Sequence, residues 1–281
     1  MMNILLLMLV AGIVAGALGS ILGLGGGIIV TPVLTLMMGL DIKYAIGASI
    51  IAVIATSSGA TIAFLKDDVL NLRVAMFLEI ATTIGAIGGA LLTGIFNTSF
   101  LFILFGAFLL LSVYNMLKKI FVGEEVLKSA NPDYLSTKFK LNSSYYDKQL
   151  KKQIDYQVEN VPGGMAIMLG AGVASGLLGI GSGIFKVMAM DTAMKMPLKP
   201  SSSTSNLMMG VTAAASATVY FFNGSIRPDI AVPLALGILV GSSIGSRVMQ
   251  YLPAKIIRLV FVPVLLYVST QMILKGFGVS I

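Results

Sequence analysis

Long apolar runs, separated by short polar interruptions, divide the chain into two similar groups. They fall at 4–38, 42–65, 74–94 and 100–117, then, after an extended polar stretch, at 163–194, 201–222, 230–250 and 256–274. A helix rises about 1.5 Å per residue and a bilayer's hydrocarbon core is about 30 Å thick, so roughly 20 apolar residues cross it. Most of the runs fit that length. The first run of each group does not: as one helix, residues 4–38 would extend about 52 Å. Near the middle of each long run stands a glycine-rich string, Gly23-Leu24-Gly25-Gly26-Gly27 in the first and Gly179-Ile180-Gly181-Ser182-Gly183 in the second. Glycine gives up the most backbone freedom in a helix and is a poor helix former, so each string predicts a break.

The strings are 156 residues apart, and the likeness extends well beyond them. Residues 15–92 set against 171–248 without a gap share fifteen identities, among them Gly16/Gly172, Leu22/Leu178, Lys43/Lys199, Ser49/Ser205, Gly85/Gly241 and Gly89/Gly245. A duplicated membrane unit with a Gly-interrupted apolar segment in matching positions points to a transporter.

Two geometries are open for each long segment: one kinked crossing, or a hairpin that folds back at the glycines. The Lys/Arg bias of cytoplasmic loops separates them. With single crossings throughout and a cytoplasmic N-terminus, twelve Lys/Arg lie inside and seven outside. If both Gly-broken segments return to their own side, fifteen share one face and only Lys43, Arg227 and Lys275 lie opposite, with Lys186 inside the membrane. The second arrangement is the predicted one. Two short crossings in place of each hairpin would leave the sidedness unchanged. The expected fold is an all-α membrane protein of two inverted repeats, each a Gly-broken re-entrant helical hairpin plus three transmembrane helices. Residues 1–119 form the first repeat and 163–281 the second. Both termini are extracytoplasmic, and residues 120–162, where Glu124, Glu125, Asp133, Asp147, Asp155 and Glu159 offset Lys128, Lys138, Lys140, Lys148, Lys151 and Lys152, form a solvated cytoplasmic linker with a short helix near 144–158.

Composition agrees. Of the 281 residues, 57% are hydrophobic and 11% charged, against about a quarter charged in soluble domains. Absence of cysteine excludes disulfides and thiolate metal sites, and absence of histidine removes the usual proton shuttle. The net charge of +7 reads as membrane orientation, not nucleic-acid binding. No cofactor and no metal site is expected, and the N-terminal run lacks the basic region of a cleavable signal peptide.

The candidate chemistry gathers at the breaks. A break leaves backbone N–H groups without intrahelical partners, and a half-helix starting near Ile28 or Ile184 aims its positive end at it. Two such ends brought together form a cradle for an anion. Gly25, Gly26, Gly27, Ile28, Gly181, Ser182, Gly183 and Ile184 are the expected substrate-binding residues, with Ser49 and Ser205 as hydroxyl donors on the following helices. The alternative for the two serines is capping and helix packing. Ser201 to Thr204 and Thr31 are weaker candidates of the same kind. Lys186, where the first repeat has Val30, is a cation at membrane depth. It offers a fixed charge to an anion, pairs with Asp191, or snorkels. Glu79 and Asp191 are the proton-coupling candidates; Glu79 alternatively pairs with Arg73 or snorkels. Gly12, Gly16, Gly85 and Gly89 have the spacing of closely packed membrane helices.

The string Gly19-Ser20-Ile21-Leu22-Gly23-Leu24-Gly25-Gly26-Gly27 through Pro32, followed by Ala48-Ser49, resembles the TauE/SafE family of sulfite exporters, as does Ser175-Gly176-Leu177-Leu178-Gly179-Ile180-Gly181-Ser182-Gly183 with Ser203-Thr204-Ser205. The likeness covers both repeats. Ser182 stands where the family has glycine, and Met188 where it has proline. The resemblance implies a multi-pass protein of the cytoplasmic membrane, monomer or homodimer, that exports sulfite, sulfoacetate or a related small sulfur oxyanion. A passive anion channel with the same cradle is the alternative. There is no Walker string for ATP and no Gly-x-Ser-x-Gly elbow, so neither an ATP-driven pump nor an enzyme is expected.

Overall fold

The structure, a computed structural model, describes residues 2–22, 25–122, 131–148, 150–249, 251 and 254–279. Gly23 and the linker's Glu124, Glu125 and Lys128 lie outside them, as do the side chains of Lys119, Ile184, Lys255 and Arg258. Helices α1 (Met2–Leu22), α2 (Gly27–Pro32), α3 (Ile42–Lys66), α4 (Leu72–Thr93) and α5 (Thr98–Val122) make the first half. Helix α6 (Tyr134–Lys138) and strands β1 (Ser143–Asp147) and β2 (Lys152–Tyr156) follow, then α7 (Val161–Leu178), α8 (Gly183–Met188), α9 (Leu198–Phe222), α10 (Pro228–Met249) and α11 (Ala254–Gly276). The bounds of α2, α3 and α4 recur in α8, α9 and α10, each displaced by the 156 residues that separate the glycine strings.

Among the described residues, α3, α4, α5, α7 and α10 are long and apolar enough to cross a membrane. Helix α9 is as long as α3, but Ser201 to Asn206 fill its first turns with polar side chains and lower its apolarity.

Each glycine string interrupts its helix, and the chain then turns back. Beyond the first break, Leu34 packs in one cluster with Met8 of α1. Beyond the second, Met194 returns to the start of α7, where Glu159 N–H donates to its carbonyl. A π-helical turn follows each short helix, Val33–Met37 after α2 and Ala189–Ala193 after α8. Pro32 removes an N–H donor in the first, but Met188 holds the same place in the second, so proline is not their common cause.

Small residues let the halves interlock. Helix α1 runs parallel to α10, Gly12 facing Leu234 and Gly16 facing Ile238. A methyl at Gly12 would lie 2.6 Å from the Leu234 carbonyl oxygen, so a side chain would force these helices apart. Helix α7 runs parallel to α4 in the same way, with Gly172 against Thr82 and Ala86, and Gly176 against Ala86 and Ala90.

The linker differs from expectation. Residues 143–156 form an antiparallel hairpin, Ser143 opposite Tyr156 and Asp147 opposite Lys152, not a helix near 144–158. Tyr145 and Tyr156 point inward while Tyr146 and Asp155 point out, the two-residue alternation of a strand, and tyrosine suits strands. Nor is it a solvated connector. Leu141, Tyr145, Tyr156 and Val158 bury themselves against Val74, Leu78, Met190 and Met194. Asp147 pairs with Lys199 of α9 at 2.9 Å, Lys148 with Asp67 at 2.9 Å, and Asn71 donates to both Leu141 O and the Tyr156 hydroxyl. Burial pushes the Tyr156 hydroxyl above its ordinary pKa, with the Asn71 bond opposing.

Candidate functional site

The two breaks adopt backbone conformations that side chains resist. Gly25 (φ +75°), Gly179 (φ +65°) and Gly181 (φ +70°) are left-handed. Glycine enters that region at no steric cost. Ser182 (φ +49°) is also left-handed despite its Cβ, whereas its counterpart Gly26 is right-handed at −63°. After each break a short helix starts, at Gly27 and at Gly183.

The fold brings the breaks together. Val53 of α3 and Met209 of α9 each lie against both Gly25 and Gly181. Ser49 Oγ donates to Gly179 O at 2.7 Å, and a methyl at Gly27 would meet both that hydroxyl and that carbonyl. Ser205 Oγ donates to Gly183 O at 3.3 Å. The Gly26 N–H, which a break leaves without a helical acceptor, is received by Thr56 Oγ1 at 3.1 Å, near the middle of α3. Gly25, Gly26, Gly27, Ile28, Ser49, Gly181, Ser182, Gly183 and Ser205 are all buried at this junction. In this conformation both serines are engaged with backbone carbonyls of the second break.

Lys186 and Glu79 meet at one threonine. Lys186 Nζ donates to Thr212 Oγ1, and Thr212 Oγ1 lies 2.6 Å from Glu79 Oε1. Lys186 Nζ stands 3.9 Å from Glu79 Oε2, which has no hydrogen-bond partner of its own. Both side chains are buried, Lys186 completely and Glu79 at 8% exposure, so neither snorkels. Two expectations are corrected here. Lys186 pairs with Glu79 and not with Asp191, which sits half-buried on the π-helical turn beyond it. Glu79 does not pair with Arg73, whose guanidinium donates to Lys140 O in the linker. Helical spacing could not bring Glu79 to Lys186, because the contact joins α4 to α8 across the two halves.

The hydroxyls of α9 divide their work. Ser203 donates to Val69 O, and Thr204 accepts from Asn71 N–H, so these two hold the loop between α3 and α4. Ser202 Oγ, Ser182 Oγ and Thr31 Oγ1 are buried without partners. Asn206, the last residue of the polar run that opens α9, donates its amide to Ser20 O beside the first break, and its Oδ1 is unpartnered. The role of Thr56 and Thr212 was missed, although they are identical at the same 156-residue offset, a signal the sequence carried.

The arrangement is a pair of broken helices whose buried interruptions face each other, in a chain with several helices able to cross a bilayer. The family model of the sulfite exporter TauE/SafE matches residues 8–272. The chain belongs to the TauE/SafE family. It is similar to the probable membrane transporter protein YunE of Bacillus subtilis (strain 168), 26% identical over 277 residues that cover 96% of this chain and 97% of the relative. It is also similar to YdhB of the same organism, 24% identical with 92% and 94% covered, and to MJ0441 of Methanocaldococcus jannaschii, 26% identical with 92% and 91% covered, both likewise probable membrane transporter proteins. No solved structure is significantly similar. This TauE/SafE chain is a multi-pass membrane protein of a transporter family.

Proposed function

We propose that this chain is a secondary transporter that exports a small sulfur-containing anion, sulfite or an organosulfonate such as sulfoacetate, across the cytoplasmic membrane by alternating access. The observation that carries this reading is the meeting of the two breaks at Val53 and Met209, with the starts of α2 and α8 and the hydroxyls of Ser49 and Ser205 beside them. Backbone N–H groups at the start of a helix, with its positive end, favour an oxyanion. Irregular backbone at membrane depth survives where protein buries it or where it lines a cavity, and alternation between those two conditions is what a carrier needs.

The direction of packing supports two inverted halves. Helix α1 runs parallel to α10, the counterpart of α4, and α7 runs parallel to α4. That crossed parallel pairing is the sense that halves of opposite orientation require. The hairpin reading keeps both termini extracytoplasmic and the linker cytoplasmic, and Lys186 supplies the positive charge that draws the anion.

The test is a panel of sulfite, sulfate, thiosulfate, sulfoacetate, taurine and acetate with the protein in proteoliposomes. Saturable uptake and counterflow exchange of sulfite or sulfoacetate are expected. Uptake linear in concentration without counterflow means a channel, and no movement of any anion removes the transport reading.

A further inference from the structure

Lys186, Thr212 and Glu79, beside the second break, have counterparts beside the first break that lack their chemistry. At the same offset stand Val30, Thr56 and Ala235. There the threonine does a backbone task, accepting the Gly26 N–H at the break. Thr212 instead receives the Lys186 ammonium and lies beside the Glu79 carboxylate. A buried ion pair that joins the two halves therefore stands beside the second break, where the equivalent positions beside the first are apolar.

That pair is poorly satisfied. Thr212 has one hydroxyl proton, and two acceptors compete for it, Glu79 Oε1 at 2.6 Å and Met208 O at 2.8 Å. Thr83 adds one hydrogen bond to Oε1 at 3.2 Å. Oε2 receives none, and its nearest cation is Lys186 at 3.9 Å. When charged, the carboxylate has that one ammonium as its nearby cation. A buried carboxylate deprived of its cation is costly, and it is neutralised by taking a proton.

We propose, resting on the transport reading above, that Glu79 and Lys186 are an exchange pair that ties anion binding to proton binding. An anion entering at the second break takes Lys186 as its counter-ion. Glu79, left without a cation, accepts a proton from water at Oε2. Anion and proton cross together, and when the anion leaves, Lys186 returns to Glu79 and the proton departs on the same side. Among the described residues, few other charges stand on the elements around Glu79. On α4 the only other charge is Arg73, bound to the Lys140 carbonyl. Helix α7 carries none, α9 carries only Lys199, paired with Asp147 of the hairpin, and the segment after α8 carries Asp191. Tyr156 of the hairpin is occupied with Asn71.

The test uses sulfoacetate, fully ionised near neutral pH, so that any proton moved is moved by the protein. Full-length protein in proteoliposomes is followed by labelled sulfoacetate and by a pH dye in the lumen, and protons are expressed per sulfoacetate moved. The ratio in the native protein is expected to be nonzero and to fall to background in Glu79→Gln. Should that variant not fold, the native protein alone decides, since its lumenal pH must change in step with net sulfoacetate uptake. Net uptake of sulfoacetate down its gradient without any lumenal pH change, or a native ratio retained in Glu79→Gln, overturns the coupling while leaving the transport reading intact. Absence of movement of every anion in the panel by the native protein overturns both.

Discussion

Val53 and Met209 press on the same two glycines from opposite halves of the chain, each lying against both Gly25 and Gly181. They are counterparts at the 156-residue offset, so the approximate symmetry of the molecule passes between them. Two apolar side chains thus fill the point where the broken helices meet. In this conformation the junction is shut, and on the proposed transport reading an anion reaches the breaks only after these side chains part.

The first prediction concerns the glycines under that pair. Gly181 is left-handed, and a methyl there would sit 2.8 Å from Val53 Cγ1. Alanine costs about 1–2 kcal/mol for the backbone alone. Leucine adds a clash that only separation of α3 and α9 relieves. Gly181→Leu and Gly25→Leu are expected to abolish anion uptake into proteoliposomes, and Gly181→Ala to slow it about tenfold. Native rates in both leucine variants would reduce the glycines to a packing role.

The two equivalent threonines should respond unequally. Thr56→Val removes one neutral acceptor from the Gly26 N–H, a loss of about 1 kcal/mol. Thr212→Val removes the oxygen that bridges Lys186 and Glu79 and leaves two buried charges without it. Leaving buried charges unsatisfied costs about 3 kcal/mol or more. Unfolding in detergent, followed by intrinsic tyrosine fluorescence, is expected to show Thr212→Val as clearly the less stable of the two. Equal losses would mean that the bridge carries no strain.

Much of this was legible in the chain because membrane helices write their lengths into runs of apolar residues. The glycine strings marked both breaks, and the fixed offset carried over to the element boundaries. The spacing of Gly12 and Gly16 announced close packing, and both face α10. What was hidden was long-range. Nothing local to Glu79 points to Lys186, which is more than a hundred residues away and on another helix. The hairpin at 143–156 is hard to see in the sequence because charged residues crowd its two short strands and obscure the alternation of Tyr145, Ile154 and Tyr156. The hydroxyl cluster opening α9 showed that something polar was held there, but not that Ser203 and Thr204 serve the loop while Ser205 serves the break.

The docked hairpin yields a third prediction. Asp147 is almost fully buried and is tied to Lys199 at the entrance to α9. Asp147→Ala leaves Lys199 without that partner and also removes the acceptor of Leu150 N–H in the turn. The turn around Lys151 and Lys152 should then detach more readily. Limited trypsin digestion of protein in detergent is expected to cut there several times faster in the variant. An unchanged cutting rate would show that the Tyr145 and Tyr156 contacts hold the hairpin without the ion pair.

The last prediction separates what the buried pair does for folding from what it does for transport. Removing one member strands the other. Lys186→Met leaves Glu79 with threonine hydroxyls only, and Glu79→Gln leaves an ammonium facing a neutral amide. Breaking a buried pair typically costs about 3–5 kcal/mol, whereas replacing both members by uncharged groups is often close to neutral. Each single variant is therefore expected to unfold at clearly lower denaturant than the native protein, and the double variant Glu79→Gln/Lys186→Met to recover most of that loss. Transport should not recover with it. The double variant restores neutrality but not the positive charge that the proposed function assigns to anion attraction, so sulfite or sulfoacetate uptake should remain at least tenfold below native. If uptake returns together with stability, Lys186 is a structural partner of Glu79 and the anion is held by the breaks alone.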